Sequence, residues 1–465
     1  MYFQKKILDC KVYTDIMRLM EKNLTTGSVW KNIISFSLPY LLSYFLQTLY
    51  GMADLFIIGQ FAGVAETTAV SVGSQVMHMI TVMIVGLAMG STVIIARAVG
   101  ASNHDEASKT VGNTVTLFML MSLVITAILL LLVRPITSAM STPTEAVSGT
   151  VNYLIICFAG IPFITAYNII SSIFRGLGDS KSPMYFIATA CFANIVLDYF
   201  FIGALHLGPA GAALATTLSQ AVSVIIALAA VIKRKSITLK KSDFMLRRKI
   251  TFPILKIGFP VAMQDGFIQI SFIIITIIAN RRGLNDAAAV GIVEKIMSFM
   301  FLVPSSMLSA VSALAAQNIG AKKYDRAYST LRYAIMISSG FGLVMAVTIQ
   351  FTATSIVALF TSNAAVAVLG SQYLKGYIWD SFLGGIQFSF SGYFCALGKS
   401  ELSFMHNLAA IILVRIPGAY FMSKFFPDNL YPMGLATAFG SLLSVIICIF
   451  MFIVLKHKNN EQLLI

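Results

Sequence analysis

Long apolar stretches, cut by short polar or glycine- and proline-bearing breaks, run from Ile33 to Leu455. They do not alternate with the period of two that a half-buried strand needs, and many exceed the roughly 18 apolar residues that carry a helix across a bilayer. The pattern predicts twelve helical spans, at 33–58, 67–97, 110–133, 146–174, 183–203, 209–232, 252–279, 287–317, 329–352, 364–396, 402–423 and 431–455. The breaks carry turn residues or charge, as at Arg134-Pro135, Gly178-Asp179-Ser180 and Phe426-Pro427-Asp428.

The chain repeats itself. "ARAVGASNHDEA" (96–107) recurs as "AQNIGAKKYDRA" (316–327), and "FRGLGDS" (174–180) recurs as "FCALGKS" (394–400), both at a shift of 220. "LATTLSQAVSVII" (214–226) recurs as "LATAFGSLLSVII" (435–447) at 221, and so does Pro39 as Pro260. Each repeat holds six spans, an even number, so both halves enter the membrane in the same sense. The expected fold is an all-α polytopic membrane protein, with 12 transmembrane helices in two six-helix lobes related by a pseudo-two-fold axis along the membrane normal. The expected organisation is a cytoplasmic N-terminal segment (1–30), an N-lobe (31–232), a basic cytoplasmic linker (233–250), a C-lobe (251–456) and a cytoplasmic tail (457–465). Two such lobes enclose a central cavity and expose it alternately to each side by rocking.

Composition supports this reading and removes others. Of 465 residues, 57% are hydrophobic and 11% charged, which excludes a soluble globule and a disordered chain. The net charge of +14 would suggest nucleic acid in a soluble protein, but here the cations sit in short loops between spans. With the N-terminus inside, 26 of the 33 Lys and Arg fall on the cytoplasmic side; the outer loops hold Arg134, Arg281, Arg282 and Lys424. That asymmetry places both termini in the cytoplasm and the chain in the cell membrane. The linker around Lys233–Lys249 carries eight Lys or Arg against Asp243, a composition that also suits anionic lipid headgroups. Cys10, Cys157, Cys191, Cys395 and Cys448 form no C-x-x-C pair, and four lie in apolar spans as small hydrophobes. No P-loop, nucleophile elbow or metal spacing stands out, so no enzyme activity, cofactor, metal or obligatory protein partner is expected. Work done by the chain would then draw on an ion gradient.

Charges inside spans are costly and mark candidate sites. In the first half these are Asp54 in span 1 and Asp198 in span 5, with Asn194 one helical turn before Asp198 on the same face. Thr216 in span 6 adds a hydroxyl. The set offers carboxylate, amide and hydroxyl oxygens for Na⁺ or a shared proton; polar contacts between helices are the competing reading. Pro39 lies fifteen residues before Asp54 and permits a kink in helix 1. Tyr50 stands one turn from Asp54, and Gln47 is near the same face. The second half differs. Arg415 stands opposite Asn194, and Gly418 or Ala419 opposite Asp198. Its buried charges are instead Asp265, Glu294, Lys295, Lys375 and Asp380. Either lysine pairs with one of these acids, or the group lines a wet cavity that recognises charged substrates.

Pro39 with "MADLFIIGQFAG" (52–63), "ARAVGA", "FRGLGDSKSP" (174–183), "NIVLDYFFI" (194–202), "GPAGAALAT" (208–216), "AQNIGA" and "ALGKS" give the chain its resemblance, from about Trp30 to Lys456, to the multidrug and toxic compound extrusion (MATE) family. The resemblance implies a cation-coupled antiporter that exports lipophilic, often cationic, small molecules in exchange for Na⁺ or H⁺. It implies a cation site at Asp54, Asn194, Asp198 and Thr216. Gln47, Tyr50, Asn168 and Ser171 would then form a surrounding polar network and cavity, with helix 1 bending at Pro39. Another branch uses acids in spans 7 and 10; Asp265 and Asp380 lie there, but with spacings that do not fit that branch. The alternative function is a flippase for a lipid-linked precursor on a related two-lobed fold, which Lys295, Lys375 and Arg415 would serve.

Overall fold

The computed structural model describes residues 23–234 and 240–462. Most of the N-terminal segment with Cys10, linker residues 235–239 and the end of the tail lie outside the described residues. Within them the secondary structure is helical throughout. The first half holds α1 (Val29–Phe61), α2 (Val64–Gly100), α3 (His104–Ala139), α4 (Thr144–Ala159), α5 (Ile161–Gly176), α6 (Lys181–Asp198) and α7 (Gly208–Arg234). The second holds α8 (Arg248–Asn280), α9 (Leu284–Met300), α10 (Leu302–Gly320), α11 (Tyr324–Ala358), α12 (Ala364–Tyr377), α13 (Trp379–Ala396), α14 (Ser400–Ala410), α15 (Ile416–Phe425) and α16 (Tyr431–Gln462). A π-turn at Tyr199–Ala204 extends α6, and another at Ile411–Arg415 joins α14 to α15.

All twelve expected spans are helical, and most run past the expected ends. Ten are long and apolar enough to cross a membrane, and α4 with α5, bent by 47°, makes an eleventh. The tenth expected span is α12 and α13, broken at Ile378; Asp380, Gln387 and several serines lower its hydropathy. In α3, whose apolar window is among the most hydrophobic, few residues are buried. Leu120, Leu123, Val124 and Leu131 face outward, as a lipid-facing helix requires.

The chain divides into two compact units. The first comprises residues 23–27, Ile34–Gly258 and Ala316–Lys323; the second comprises Ser28–Ile33, Phe259–Ala315 and residues 324–462. A core around Ile57, Val70, Tyr153, Leu154 and Phe158 fills the first unit, and one around Ile275, Val293, Tyr373 and Met433 the second. The free thiols Cys157, Cys191, Cys395 and Cys448 are all buried.

The sequence repeat reappears as repeated backbone geometry. Gly178 and Gly398 take φ of 92° and 70°, the left-handed turn that ends α5 and α13 and that a Cβ would oppose. Ser102 and Lys322 hold φ of 55° and 58° after α2 and α10. Helix starts are capped locally: Asn103 accepts from the Glu106 amide at 3.2 Å, and Asp179 from the Lys181 amide at 2.9 Å.

Backbones meet where glycine removes the side chain. A Cβ on Gly100 would collide with the Gln317 carbonyl, and one on Gly320 with the Arg97 carbonyl, so the ends of α2 and α10 touch reciprocally within the first unit. Gly90 and Gly258 do the same against Ile254 and Leu87. The linker is clamped at its end. Asn113 donates to the Asp243 carbonyl at 3.0 Å and accepts from the Arg247 amide at 2.7 Å, while Thr116 donates to the Phe244 carbonyl at 2.8 Å.

Candidate functional site

Three helices of the first unit deliver the candidate residues. Asp54 lies near the end of α1 and is 3% exposed; Asn194 and Asp198 lie in the last turns of α6 and are fully buried. The i, i+4 spacing puts both on one face, and the π-turn that begins directly after Asp198 widens the helix there. From α7, the Thr216 hydroxyl donates to Asp54 Oδ2 at 3.1 Å. Asp198, Asn194 and Thr216 all face the Asp54 carboxyl.

Few polar atoms of this cluster are satisfied within the protein. Asp54 Oδ1, both Asp198 oxygens and both polar atoms of the Asn194 amide find no hydrogen-bond partner among the described residues. Two buried carboxylates that face each other repel, and neither can donate to the other unless one carries a proton. A shared proton would satisfy these oxygens, and so would a small cation, for which the Asn194 and Thr216 oxygens could complete the shell. The four residues that the sequence nominates are thus brought together in one place.

The surrounding residues separate into groups. Tyr50 lies beside Asp54 and Tyr167. Gln47 and Ser171 both approach Tyr167. The Asn168 side chain instead donates to the Ile164 carbonyl of its own helix at 2.8 Å. Pro39 sits inside an uninterrupted α1, where the Ser43 hydroxyl bonds its carbonyl at 2.8 Å.

Several neighbours escape the sequence reading. Tyr153 and Cys157 of α4 are within electrostatic reach of Asp54, and Gly73 of α2 lies against the Tyr153 ring, where a Cβ would collide. Gln220, one turn beyond Thr216, is buried with an unpartnered Oε1; its i+4 spacing was the signal. Arg175, one residue past the expected end of span 4, is buried with its guanidinium 4.2 Å from the Tyr40 ring centre. The repeat carried the hint, since the shift of 220 sets Arg175 opposite Cys395, an apolar position.

In the second unit the expected pairing is corrected. Asp380 pairs with Arg415, at 3.0 Å, and not with Lys295 or Lys375. Lys295 is exposed, and Lys375 is half-buried. Glu294 accepts from the Thr276 hydroxyl at 3.2 Å, and Asp265 is half-buried in α8. The reason is rotational: Arg415 ends a π-turn, whose extra residue per turn shifts the side chain toward α13 and α16.

The MatE family model matches residues 39–200 and, a second time, 260–421, so the two matches begin at Pro39 and Pro260. The chain is 28% identical over 417 residues to the probable multidrug resistance protein YoeA of Bacillus subtilis strain 168, covering 88% of this chain and 90% of that one. It is 25% identical over 444 residues to the multidrug export protein MepA of Staphylococcus haemolyticus, covering 93% and 95%. A solved outward-facing multidrug resistance MATE family transporter of the MOP superfamily superposes with a TM-score of 0.88 over 95% of this chain and 99% of that one; at 23% identity the likeness is one of fold.

Proposed function

We infer the function from the premise that the chain belongs to the multidrug and toxic compound extrusion family. It is a multi-pass membrane transporter rather than an enzyme. We propose that it is a cation-coupled antiporter, exporting lipophilic, often cationic, small molecules in exchange for Na⁺ or H⁺. The single observation that supports the coupling is the buried Asp54–Asp198 face, where Asp54 Oδ1 and both Asp198 oxygens have no hydrogen-bond partner among the described residues.

The proposed cycle uses one site in two states. With the cavity open outward, a cation binds between Asp54 and Asp198, held also by Asn194 and Thr216, and disfavours the drug-bound form. Substrate leaves outward, and the cation leaves inward after the cavity reopens. Cation and substrate must stabilise different states, because a ligand with equal affinity for both shifts nothing. One charge crossing 100 mV supplies about 2.3 kcal/mol, roughly a fiftyfold accumulation. The distribution of Lys and Arg supports an orientation in the cell membrane with both termini inside. The flippase reading drew on Lys295, Lys375 and Arg415, and it loses support because Arg415 is neutralised by Asp380.

The test is ethidium accumulation in energised everted vesicles under a proton gradient, a sodium gradient or neither, for wild type and Asp54→Asn. Export that needs one gradient and is lost in the variant, with the protein still folded, is the expected result. Normal gradient-driven export by Asp54→Asn would sink the assignment.

A further inference from the structure

The two halves share a repeat but not a charge balance. The shift of 221 sets Arg415 opposite Asn194, Thr437 opposite Thr216 and Ser441 opposite Gln220, while Tyr373 matches Tyr153 at 220. The second unit therefore has an interior cluster that shares the repeat mates of α6 and α7 with the first, through Arg415 and Ser441, but takes its carboxyl, Asp380, from α13. Arg415 donates to Asp380 Oδ2 at 3.0 Å and to the Ser441 hydroxyl at 3.2 Å, and Gln387 donates to the same hydroxyl at 3.2 Å. Asp380 is fully buried and Arg415 nearly so. Asp380 Oδ1 and Arg415 Nε have no further partner among the described residues. The other ionisable groups of the cluster are Tyr373 and Tyr377 of α12 and Glu294 of α9.

In the first unit a buried carboxyl pair is left without a cation of the protein's own. In the second, a buried carboxyl receives one on a side chain. We propose that the Arg415 guanidinium is a tethered cation: it serves at Asp380, though that carboxyl is at a different position of the repeat, as the counter-charge that a mobile monovalent cation supplies at Asp54 and Asp198. Ion binding is thereby confined to one unit, and the second unit holds a latent cation site that opens when the guanidinium is removed. The comparison rests on the proposed role of Asp54, but the latent site is testable without it. Removing one member of a buried pair leaves a charge that must find a counter-ion or be neutralised. Arginine does not lose its proton in proteins, so the tethered cation is permanent.

The experiment measures thermal unfolding midpoints of the full chain in detergent. NaCl is exchanged against choline chloride at constant ionic strength, and pH is then lowered stepwise. In Asp54→Asn the cation-dependent stabilisation of the wild type is expected to vanish; its persistence would count against the antiport site and leave the present inference standing. Adding Arg415→Gln to that variant is expected to restore a rise of several degrees with sodium or with acid. Adding Asp380→Asn should abolish the rise again. No cation dependence in Asp54→Asn/Arg415→Gln overturns the proposal. So does a dependence that survives Asp380→Asn, which would belong to Glu294. If Arg415→Gln yields no folded protein, two further variants decide. Arg415→Lys keeps a cation in place and is expected to ignore sodium; a sodium-dependent midpoint there overturns the proposal. Asp380→Asn alone is expected to lose several degrees and to recover them in Asp380→Asn/Arg415→Gln, whereas a double variant that recovers nothing overturns it.

Discussion

Asp54 and Thr216, 162 positions apart, are joined by a 3.1 Å hydrogen bond from the threonine hydroxyl to Asp54 Oδ2. The bond ties α1 to α7 at the level of Asn194 and Asp198. It also fixes a hydroxyl oxygen where a cation between the carboxyls would need one. Thr216→Val keeps the shape and removes both donor and oxygen. A hydrogen bond to a charged group contributes about 1.5–3 kcal/mol, so half-saturation should move roughly ten- to a hundredfold. The sign identifies the ion. Sodium loses a ligand, and its half-saturating concentration rises. A proton gains, because the ionised carboxylate has lost a donor, and its half-saturating concentration falls. Titrating ethidium export against each ion reads both, and an unchanged response to both would remove Thr216 from the site.

The linker clamp makes a prediction about proteolysis. Asn113 serves the Asp243 carbonyl and the Arg247 amide together. Asn113→Ala leaves both without that partner, at about 1–3 kcal/mol for each buried group. Trypsin should then cut near Arg247 and Arg248 roughly tenfold faster than in wild type, as read by the appearance of half-length fragments. Equal cleavage rates would show that the clamp does not hold the linker.

Glycines of opposite kinds should respond with opposite signs. Gly100→Ala and Gly320→Ala each drive a methyl into a facing carbonyl and should cost about 1–3 kcal/mol. The double variant should cost less than the sum, because the two glycines share one contact. Gly291 in α9 and Gly340 in α11 meet nothing within 4 Å. Their alanine variants should gain about 0.5–1 kcal/mol from helix propensity. Thermal midpoints in detergent separate the two groups.

Arg282 ties a helix start to a distant loop. Its guanidinium donates to Asp286 at 2.6 Å, to the Ser423 carbonyl at 2.6 Å and to the Pro427 carbonyl at 2.5 Å. Lysine keeps the charge but cannot span this fork. Arg282→Lys should therefore destabilise by about 1.5–3 kcal/mol, roughly one charge-assisted bond or more. An unfolding midpoint equal to that of wild type would show the fork to be dispensable.

Much of the fold could be read from one dimension because a membrane imposes long apolar helices and a repeat supplies a second copy of each clue. Asn194 and Asp198 announced a shared face by spacing alone, and Gly178 and Gly398 announced a shared turn. The partner of Asp380 could not be found that way. Which of Lys295, Lys375 and Arg415 reaches it depends on helix rotation, and a π-turn ending at Arg415 alters that rotation without any mark in the hydropathy pattern. The burial of Arg175 is hidden for a related reason: a cation at the edge of a span looks like a loop residue until the tyrosine ring that receives it is seen. Contacts between distant helices, such as Tyr153 with Gly73, carry no periodic signal at all.

The four described thiols, shut inside the helices, have a practical corollary. Water-soluble maleimides should find nothing to react with at Cys157, Cys191, Cys395 or Cys448 in the folded protein. With Cys10 replaced, the native chain becomes a silent background for site-directed labelling. A single cysteine placed on an exposed loop can then carry a fluorophore or spin probe, and the core packing around the four natural sulfurs can be left untouched.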